Sequence, residues 1–308
     1  FSYDTFEGFN KVKENFESGK IREDKRLEAI EFLKEYRSKK IVLEYMQTNY
    51  DSNAGRQSVG YLIKRIARVP HYVYEYYFGD YSKDYVFKNK GVIKAAQDEL
   101  KKNVQRMMIK KTGVFVKPNF KEKFVFFPMH FEPETSTMIQ APAYVNQINL
   151  IENIAKSLPI EYKLYVKEHP QMIADGTRSF SHYQKLREIP NVVLVDPNVD
   201  AHEYIKHCSL VTTINGTVGW EAILLKKPVI TFGRVFYNYL SFVQKCTEID
   251  KLPKIIERTL ERNPHNEKEL IDFLAVVLEA SFQANYYTLW VQHSYEKVRD
   301  HPHMKIIA

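Results

Sequence analysis

The hydrophobic pattern of this chain changes near residue 120. Residues 22–39 place apolar side chains three or four positions apart between charged ones, and residues 91–111 do the same. This spacing is typical of amphipathic helices. The sequence therefore predicts a mainly helical region over residues 1–120.

From Phe124 onward, short apolar runs alternate with segments of helical spacing. The predicted strands begin at 124 and then cover 162–166, 192–195, 210–213 and 229–232. The predicted helices cover 143–158, 181–189, 201–206 with Asp200 as N-cap, 218–225, 252–260 and 267–297. Strands that alternate with helices indicate right-handed βαβ units and a parallel sheet. The predicted class is therefore α/β.

The change from helical spacing to alternating strands and helices also suggests a domain organisation. Residues 112–123 read as a basic linker, and we place the domain boundary there. We expect a helical region at 1–120, a Rossmann-like domain at 121–250, and C-terminal helices at 251–308 that pack back across the boundary.

Composition and charge narrow the class of protein. The 308 residues are 44% hydrophobic and 27% charged, which is ordinary for a globular protein. No apolar run approaches the roughly 20 residues of a membrane span, and the first residues lack a signal-peptide pattern. We therefore expect a cytoplasmic protein. The chain does not begin with Met, so we also expect that residues precede it.

A net charge of +7 and a pI near 9.0 favour anionic partners. Lys64, Arg65 and Arg68 form a basic helix face, which is either a solvated face or a peripheral contact with the inner membrane. Cys208 and Cys246 are too few for a disulfide framework, and we expect both to be buried.

Candidate chemistry follows the predicted strands, at the sheet edge where open parallel α/β sheets bind ligands. After the strand at 210–213, Gly216 allows a tight turn. Thr217 lies where a helix begins, and a hydroxyl with free N–H groups there suits a phosphate. Glu221, one turn later, could accept hydrogen bonds from ribose hydroxyls. The alternative is a capping Thr217 and a surface glutamate.

Two other loops are predicted at the same edge. Lys167 and His169 end the second strand, followed by Pro170, and they could neutralise a diphosphate or a departing phosphate. His130, Glu132 and Glu134 follow the first strand and could supply a general base or a nucleophile. The alternative for this last segment is an acidic loop with a helix cap at Ser136 or Thr137.

Arg234 and Tyr237 follow the fifth strand and could contact donor or acceptor. His130-x-Glu-x-Glu lacks a third ligand at a suitable spacing, so we expect no metal. The sequence contains neither a Gly-x-Gly-x-x-Gly nor a P-loop motif, which argues against dinucleotide dehydrogenases and P-loop enzymes.

Three segments resemble the capsule polysaccharide biosynthesis protein family, which includes bacterial β-Kdo transferases. They are Phe-Pro-Met-His-Phe-Glu-Pro-Glu-Thr-Ser-Thr from residue 127, Tyr-Val-Lys-Glu-His-Pro from 165, and Asn-Gly-Thr-Val-Gly-Trp-Glu from 215, the last continuing to Gly233. The three motifs occur in the family's order, and the resemblance covers about residues 124–237.

The resemblance implies a GT-B glycosyltransferase whose C-terminal Rossmann-like domain binds a nucleotide-sugar. Residues 1–120 would be a remnant or a replacement of the N-terminal half. Lys167, His169, Asn215 and Thr217 would bind the nucleotide phosphate, with Gly216 at the turn, and Glu221 would bind ribose. Glu132 or Glu134 could match the family's acidic residue after the first strand.

We therefore expect a metal-independent transferase of surface polysaccharide assembly without a cofactor. Its donor would be CMP-linked, such as CMP-Kdo, and its acceptor a glycan or a lipid-linked glycan. We expect no nucleic-acid partner. Two alternatives remain open: a CDP-polyol phosphotransferase of the same architecture, and a non-catalytic glycan-binding assembly subunit.

Overall fold

The computed structural model describes residues 5–38, 67, 70, 92–262 and 264–280. The chain divides into two compact units, one of Phe1–Gln47 with Asn266–Ala308 and one of Thr48–His265. The predicted basic helix face at 64–68 falls outside the described residues except for Ala67. The domain limits expected at 120 and 250 stay predictions.

The helices and strands are numbered in chain order over the described residues. The helices are α1 (Thr5–Glu17), α2 (Glu23–Ser38), α3 (Val92–Thr112), α4 (Thr135–Gln140), α5 (Gln147–Ser157), α6 (Pro170–Asp175), α7 (Phe180–Glu188), α8 (Ala201–His207), α9 (Thr217–Leu224), α10 (Leu252–Arg262) and α11 (Glu267–Ala280). The strands are β1 (Phe124–Pro128), β2 (Lys163–Lys167), β3 (Val192–Val195), β4 (Leu210–Thr213), β5 (Val229–Thr231) and β6 (Gln244–Lys245). Short 3-10 turns cover Pro142–Tyr144, Phe236–Tyr239 and Ile249–Lys251.

The first unit contains α1, α2 and α11. Helix α11 packs against both of the others, and Phe16 meets Phe273 edge-on with ring centroids 5.1 Å apart. Arg26 also pairs with Asp272 at 2.6 Å. Because such half-exposed ion pairs contribute little, the apolar contacts hold this unit together.

The second unit is built on a six-stranded parallel sheet of order β3-β2-β1-β4-β5-β6. This is the strand order of the doubly wound Rossmann fold, so the α/β prediction is confirmed. The chain changes direction across the sheet between β1 and β4. Ligands in such sheets bind at the carboxyl ends of the strands beside that switch point.

Both faces of the sheet are buried, as the continuous apolar runs predict. Val125 and Phe127 of β1 face one side, where they join the cluster that contains Ile151 of α5. Phe126 faces the other side and stacks on Tyr204 of α8 at 5.1 Å. Alternating side chains thus anchor helices on both faces, which fixes where the strand ends lie.

Most predicted elements of the described segments lie within one or two residues of the observed ones, and residues 281–297 of the last predicted helix lie outside the described residues. Two local expectations and both alternative caps are wrong. Helix α5 begins at Gln147 rather than 143, because the Asn146 side chain accepts the Asn149 N–H and caps it there. The turn expected at Pro170 is the short helix α6. The N-cap of α4 is Glu134, not Ser136 or Thr137, and the N-cap of α9 is Gly216 rather than Thr217.

Cys208 and Cys246 are both free and buried, as predicted. Burial raises the pKa of the Cys208 thiol to about 12, so it behaves as a small apolar group. Among the helices of the described segments, none combines the length and apolarity that crossing a bilayer requires.

Candidate functional site

The carboxyl ends of β1, β2 and β4 lie side by side, and each is followed within two residues by a predicted site residue. His130 follows β1, His169 follows β2 and Asn215 follows β4. Parallel pairing places these loops at one edge of the sheet, next to the switch point.

His130 contacts the loop after β4 directly. The Asn215 N–H donates to its Nε2 at 3.4 Å, and a Cβ added to Gly216 would lie only 3.1 Å from the same atom. Because Nε2 accepts, the hydrogen-bond pattern assigns the proton of the neutral ring to Nδ1. Burial lowers the pKa of His130 to about 4, helped by the nearby positive charge of Arg178. The ring is therefore neutral near pH 7.

His169 is the N-cap of α6, and its Nδ1 accepts the Gln171 N–H at 3.3 Å. Its neutral ring therefore carries the proton on Nε2, which can donate one hydrogen bond to a ligand. Burial lowers the pKa of His169 to about 4, helped by the charges of Lys167 and Arg178. The ring meets Phe131 edge-on at 5.8 Å, so the loops after β1 and β2 also touch.

Lys167 is buried at the end of β2, with 5% of its surface exposed. Its Nζ donates to the Pro197 carbonyl at 2.8 Å, in the loop after β3. Burial lowers the pKa of Lys167 to about 8, against the opposing charges of Asp200, Glu168 and Asp196. To meet a phosphate, this ammonium would have to leave Pro197, and its role as a phosphate ligand stays a prediction.

The two acidic residues after β1 differ in their surroundings. Glu132 Oε2 lies 3.1 Å from Nη2 of Arg178, and its Oε1 accepts from the Gln147 amide. Glu134 occupies the N-cap position of α4 without a side-chain capping hydrogen bond. Glu132 is therefore held at both oxygens, whereas Glu134 is not held in this way.

The turn after β4 leads into α9. The Gly216 N–H donates to Thr213 Oγ1 at 3.2 Å, and Asn215 Nδ2 donates to Gln140 Oε1 at 3.1 Å. Thr217 is exposed at the first position of α9, where N–H groups lack helical acceptors. This turn presents a hydroxyl and backbone donors at the same edge as His130.

Glu221 lies one turn into α9, largely buried. Its Oε1 has no hydrogen-bond partner within the described segments. Burial raises the pKa of Glu221 to about 7, and the nearby charge of Asp200 adds to the shift. A ligand hydroxyl would reach this buried oxygen only after a local movement, and the role of Glu221 as a ribose ligand stays a prediction.

Arg234 and Tyr237 occupy different positions. The Arg234 side chain is exposed, and its backbone N–H donates to the Gln140 carbonyl at 3.3 Å. Tyr237 is fully buried behind the turn, where its hydroxyl donates to the Gly216 carbonyl at 2.6 Å. Tyr237 thus supports the turn, and contacts of either residue with donor or acceptor stay predictions.

A buried ionic network that the sequence pattern does not predict lies beneath these loops. Arg178 donates to Glu168 Oε2 at 2.8 Å and to the His130 carbonyl at 3.1 Å. Glu168 also accepts from the Tyr183 hydroxyl at 2.9 Å and from the His169 N–H at 2.6 Å. The one signal available was a charged residue, Glu168, between Lys167 and His169 at the end of a buried strand.

In the described part of the chain, no group of three or more His, Cys, Asp or Glu side chains is arranged to hold a metal ion. His130 and Glu132 are instead hydrogen-bonded as described above.

Comparison with known proteins places residues 61–245, more than half of the chain, in a match to the family described as capsule polysaccharide biosynthesis protein. Protein FixF of Sinorhizobium fredii (strain NBRC 101917 / NGR234) is 30% identical over 132 residues, which are 42% of this chain and 31% of FixF. The chain therefore spans about a third of that relative's length.

Similar solved structures include Thermosulfurimonas dismutans KpsC, a β-Kdo 2,7 transferase, at 16% identity and a TM-score of 0.37 over 58% of this chain and 53% of that one. UDP-GlcNAc 2-epimerase of Methanocaldococcus jannaschii matches at 17% identity and a TM-score of 0.35, over 61% and 52%. The wall teichoic acid polymerase TagF matches at 17% identity and a TM-score of 0.33, over 61% and 45%.

Proposed function

This chain belongs to the capsule polysaccharide biosynthesis protein family, and we propose that it is a glycosyltransferase that moves a sugar from a nucleotide donor to a growing glycan. The proposed donor is CMP-linked, such as CMP-Kdo. The proposed acceptor is a glycan or a lipid-linked glycan.

One observation carries the proposal: the loops after β1, β2 and β4 meet at the switch-point edge of a Rossmann-type sheet. The Asn215 N–H bonds the His130 ring, and Phe131 contacts the His169 ring. Nucleotides bind at this edge in folds of this strand order. The edge offers hydrogen-bond donors, which suit an anionic ligand.

The proposed phosphate ligands are Nε2–H of His169, the Thr217 hydroxyl and the free N–H groups at the start of α9. As the bond between sugar and phosphate breaks, negative charge builds on the departing phosphate oxygens. Donors already fixed in place stabilise that charge without reorganising. Because His169 is neutral, it contributes a hydrogen bond rather than a full charge. We propose that these donors suffice without a metal ion.

A hydroxyl of the acceptor must lose its proton to attack the sugar. Of the predicted candidates for the base, all in the loop after β1, His130 has its Nε2 occupied by the Asn215 N–H, which leaves Glu132 and Glu134. Holding acceptor and donor together at one edge supplies the positioning on which transfer depends. Glu221 is the proposed ligand of the ribose hydroxyls, because its Oε1 has no partner within the described segments and can accept from them once a local movement exposes it.

Titration calorimetry with CMP, CDP and UDP tests the proposal. We expect CMP to bind, and His169→Ala to weaken binding about tenfold or more, since a hydrogen bond to a charged group contributes roughly 1.5–3 kcal/mol. His207→Ala is the matched control, because His207 ends α8 at the opposite edge of the sheet and is exposed. Absence of nucleotide binding by the wild-type chain, or equal binding by His169→Ala, would overturn the proposal.

A further inference from the structure

Arg178 and Glu168 form an ion pair deep below the proposed site. Arg178 is 4% exposed and Glu168 is fully buried, with 2.8 Å between Nη1 and Oε2. Removing two charges from water costs several kcal/mol per ion, so a buried pair is weak support for stability. The pair is therefore better explained by the groups that it holds in place than by a contribution to stability.

The guanidinium of Arg178 reaches both loops that carry the candidate histidines. After β1 it donates to the His130 carbonyl at 3.1 Å and pairs with Glu132 at 3.1 Å. After β2 it holds Glu168, whose other oxygen accepts the His169 N–H. The planar fork of an arginine can make these bonds at once, whereas a lysine cannot.

Gln147 of α5 completes the support of the first loop. Its amide accepts the His130 N–H at 2.8 Å and donates to the His130 carbonyl at 3.1 Å. The same Nε2 also donates to Glu132. The backbone of His130 is thus held from two sides, by Arg178 and by α5, while its ring faces the turn after β4.

We propose that Arg178 is a positioning residue for the transfer reaction: its guanidinium fixes the loop after β1 against the segment after β2, and so sets the place of the His130 ring beside the turn after β4 and of His169, the proposed phosphate ligand. This role rests on the proposed function. Arg178, Glu168, Glu132 and Gln147 are called the Arg178 clamp below.

The clamp also distinguishes between Glu132 and Glu134, the two carboxylates that could act as the base. Both oxygens of Glu132 are engaged by clamp members, so this residue belongs to the support. Glu134 has no such bonds within the described segments, and it becomes the preferred base for the acceptor hydroxyl. Glu134 is half-buried next to the same loop.

Two variants separate positioning from stability. Arg178→Lys keeps the positive charge beside Glu168 but loses the fork. The double variant R178M/E168Q removes both charges of the fully buried pair and keeps an acceptor for the His169 N–H; the Glu132 carboxylate that also loses Arg178 is only half-buried. The control is K163M/E122Q, which removes the pair of Lys163 and Glu122, 2.9 Å apart, at the start of β2.

The measurements are CMP affinity by calorimetry, urea unfolding, and the imidazole ¹⁵N signals of the free protein, which report the tautomer of each ring. We expect both Arg178 variants to bind CMP about tenfold or more weakly, because His169 is then no longer held where its Nε2–H meets the phosphate and must be ordered on binding. We expect His130 and His169 to lose their single tautomers, and the double variant to unfold near the wild-type urea midpoint. The control should match the wild type in affinity and tautomers.

The outcomes test the positioning role of Arg178 and the proposed function separately. If Arg178→Lys and R178M/E168Q bind CMP like the wild type and keep both tautomers, the positioning role is overturned, whatever happens to stability. If the wild-type chain binds no nucleotide, the proposed function fails. The tautomers of the free protein still test the clamp in that case: mixed tautomers in both variants support it, and unchanged tautomers overturn it.

Discussion

Glu221 shows at the scale of a single residue how the fold sets chemistry. Its carboxyl is largely buried, and burial raises its pKa to about 7, with help from the charge of Asp200. An unfolded chain would ionise this group near its ordinary value of 4.5. The native state therefore holds a proton that the unfolded state releases, and stability falls as the pH rises from about 4.5 to about 7.

Replacing Glu221 by Gln removes this dependence, because the amide does not ionise. We expect Glu221→Gln to raise the free energy of unfolding by about 1–3 kcal/mol above pH 7, with little effect near pH 4.5. If Glu221 binds ribose, CMP affinity falls in the same variant. Urea unfolding at several pH values and calorimetry check both, with the exposed Glu188→Gln as control. If the variant is not more stable above pH 7, burial does not destabilise the ionised carboxylate of Glu221.

Helix α9 shows how an element is shaped by what packs on it. Gly219 is buried inside this helix, and a Cβ there would lie 2.3 Å from the Tyr237 hydroxyl and 2.8 Å from its Cζ. The Tyr237 hydroxyl donates to the Gly216 carbonyl at the start of the same helix. The glycine thus allows the tyrosine to hold the turn that presents Thr217.

Gly219→Ala reverses the usual effect of this substitution. In an exposed helix alanine is more stable than glycine by about 1 kcal/mol. Here we expect a loss of about 1–3 kcal/mol from overpacking, measured by urea unfolding.

Adding Tyr237→Phe should restore part of the loss, because it removes the nearest atom but leaves the ring carbon. A Gly219→Ala protein as stable as the wild type would show that Tyr237 is not packed as described.

At the scale of the whole molecule, buried histidines link stability to pH. Burial lowers the pKa of His130, His169 and His182 to about 4 each. Their unfolded value is near 6.5, so the unfolded state takes up protons first as the pH falls. The stability is fully present above about 6.5 and is lost between about 6.5 and 4. Glu221 and Glu168, whose pKa values are raised by burial, act in the opposite sense.

Because these effects oppose each other, the prediction compares the loss of stability of the wild type with that of a single histidine variant. His182 lies on α7, outside the proposed ligand contacts, so His182→Gln leaves those residues in place. Between pH 7.5 and pH 5 we expect this variant to lose about 1–3 kcal/mol less of its free energy of unfolding than the wild type. Urea unfolding at both pH values measures it, with the exposed His207→Gln as control. Equal losses in wild type and His182→Gln would contradict the prediction.

The local pattern of residues is enough to predict the elements of the sheet unit and the segments that follow its strands. Buried parallel strands are continuous apolar runs, and helices carry their own spacing and caps, so both signals are local. For this reason the sequence predicts the bounds of β4 and the Asp200 cap of α8 at the residues where the structure has them. The predicted start of α5 at residue 143 is wrong, because the Asn146 side chain caps the helix and the helix begins at Gln147.

Which side chains meet depends on the packing of the whole fold, because those contacts join residues far apart in the chain. The hydrogen bond from Asn215 to His130 depends on β1 lying beside β4, and strand order has no local signal. The direction of Lys167 toward Pro197 and the Arg178 clamp depend on the same packing. The pKa values of the two site histidines follow from burial, which the whole fold creates.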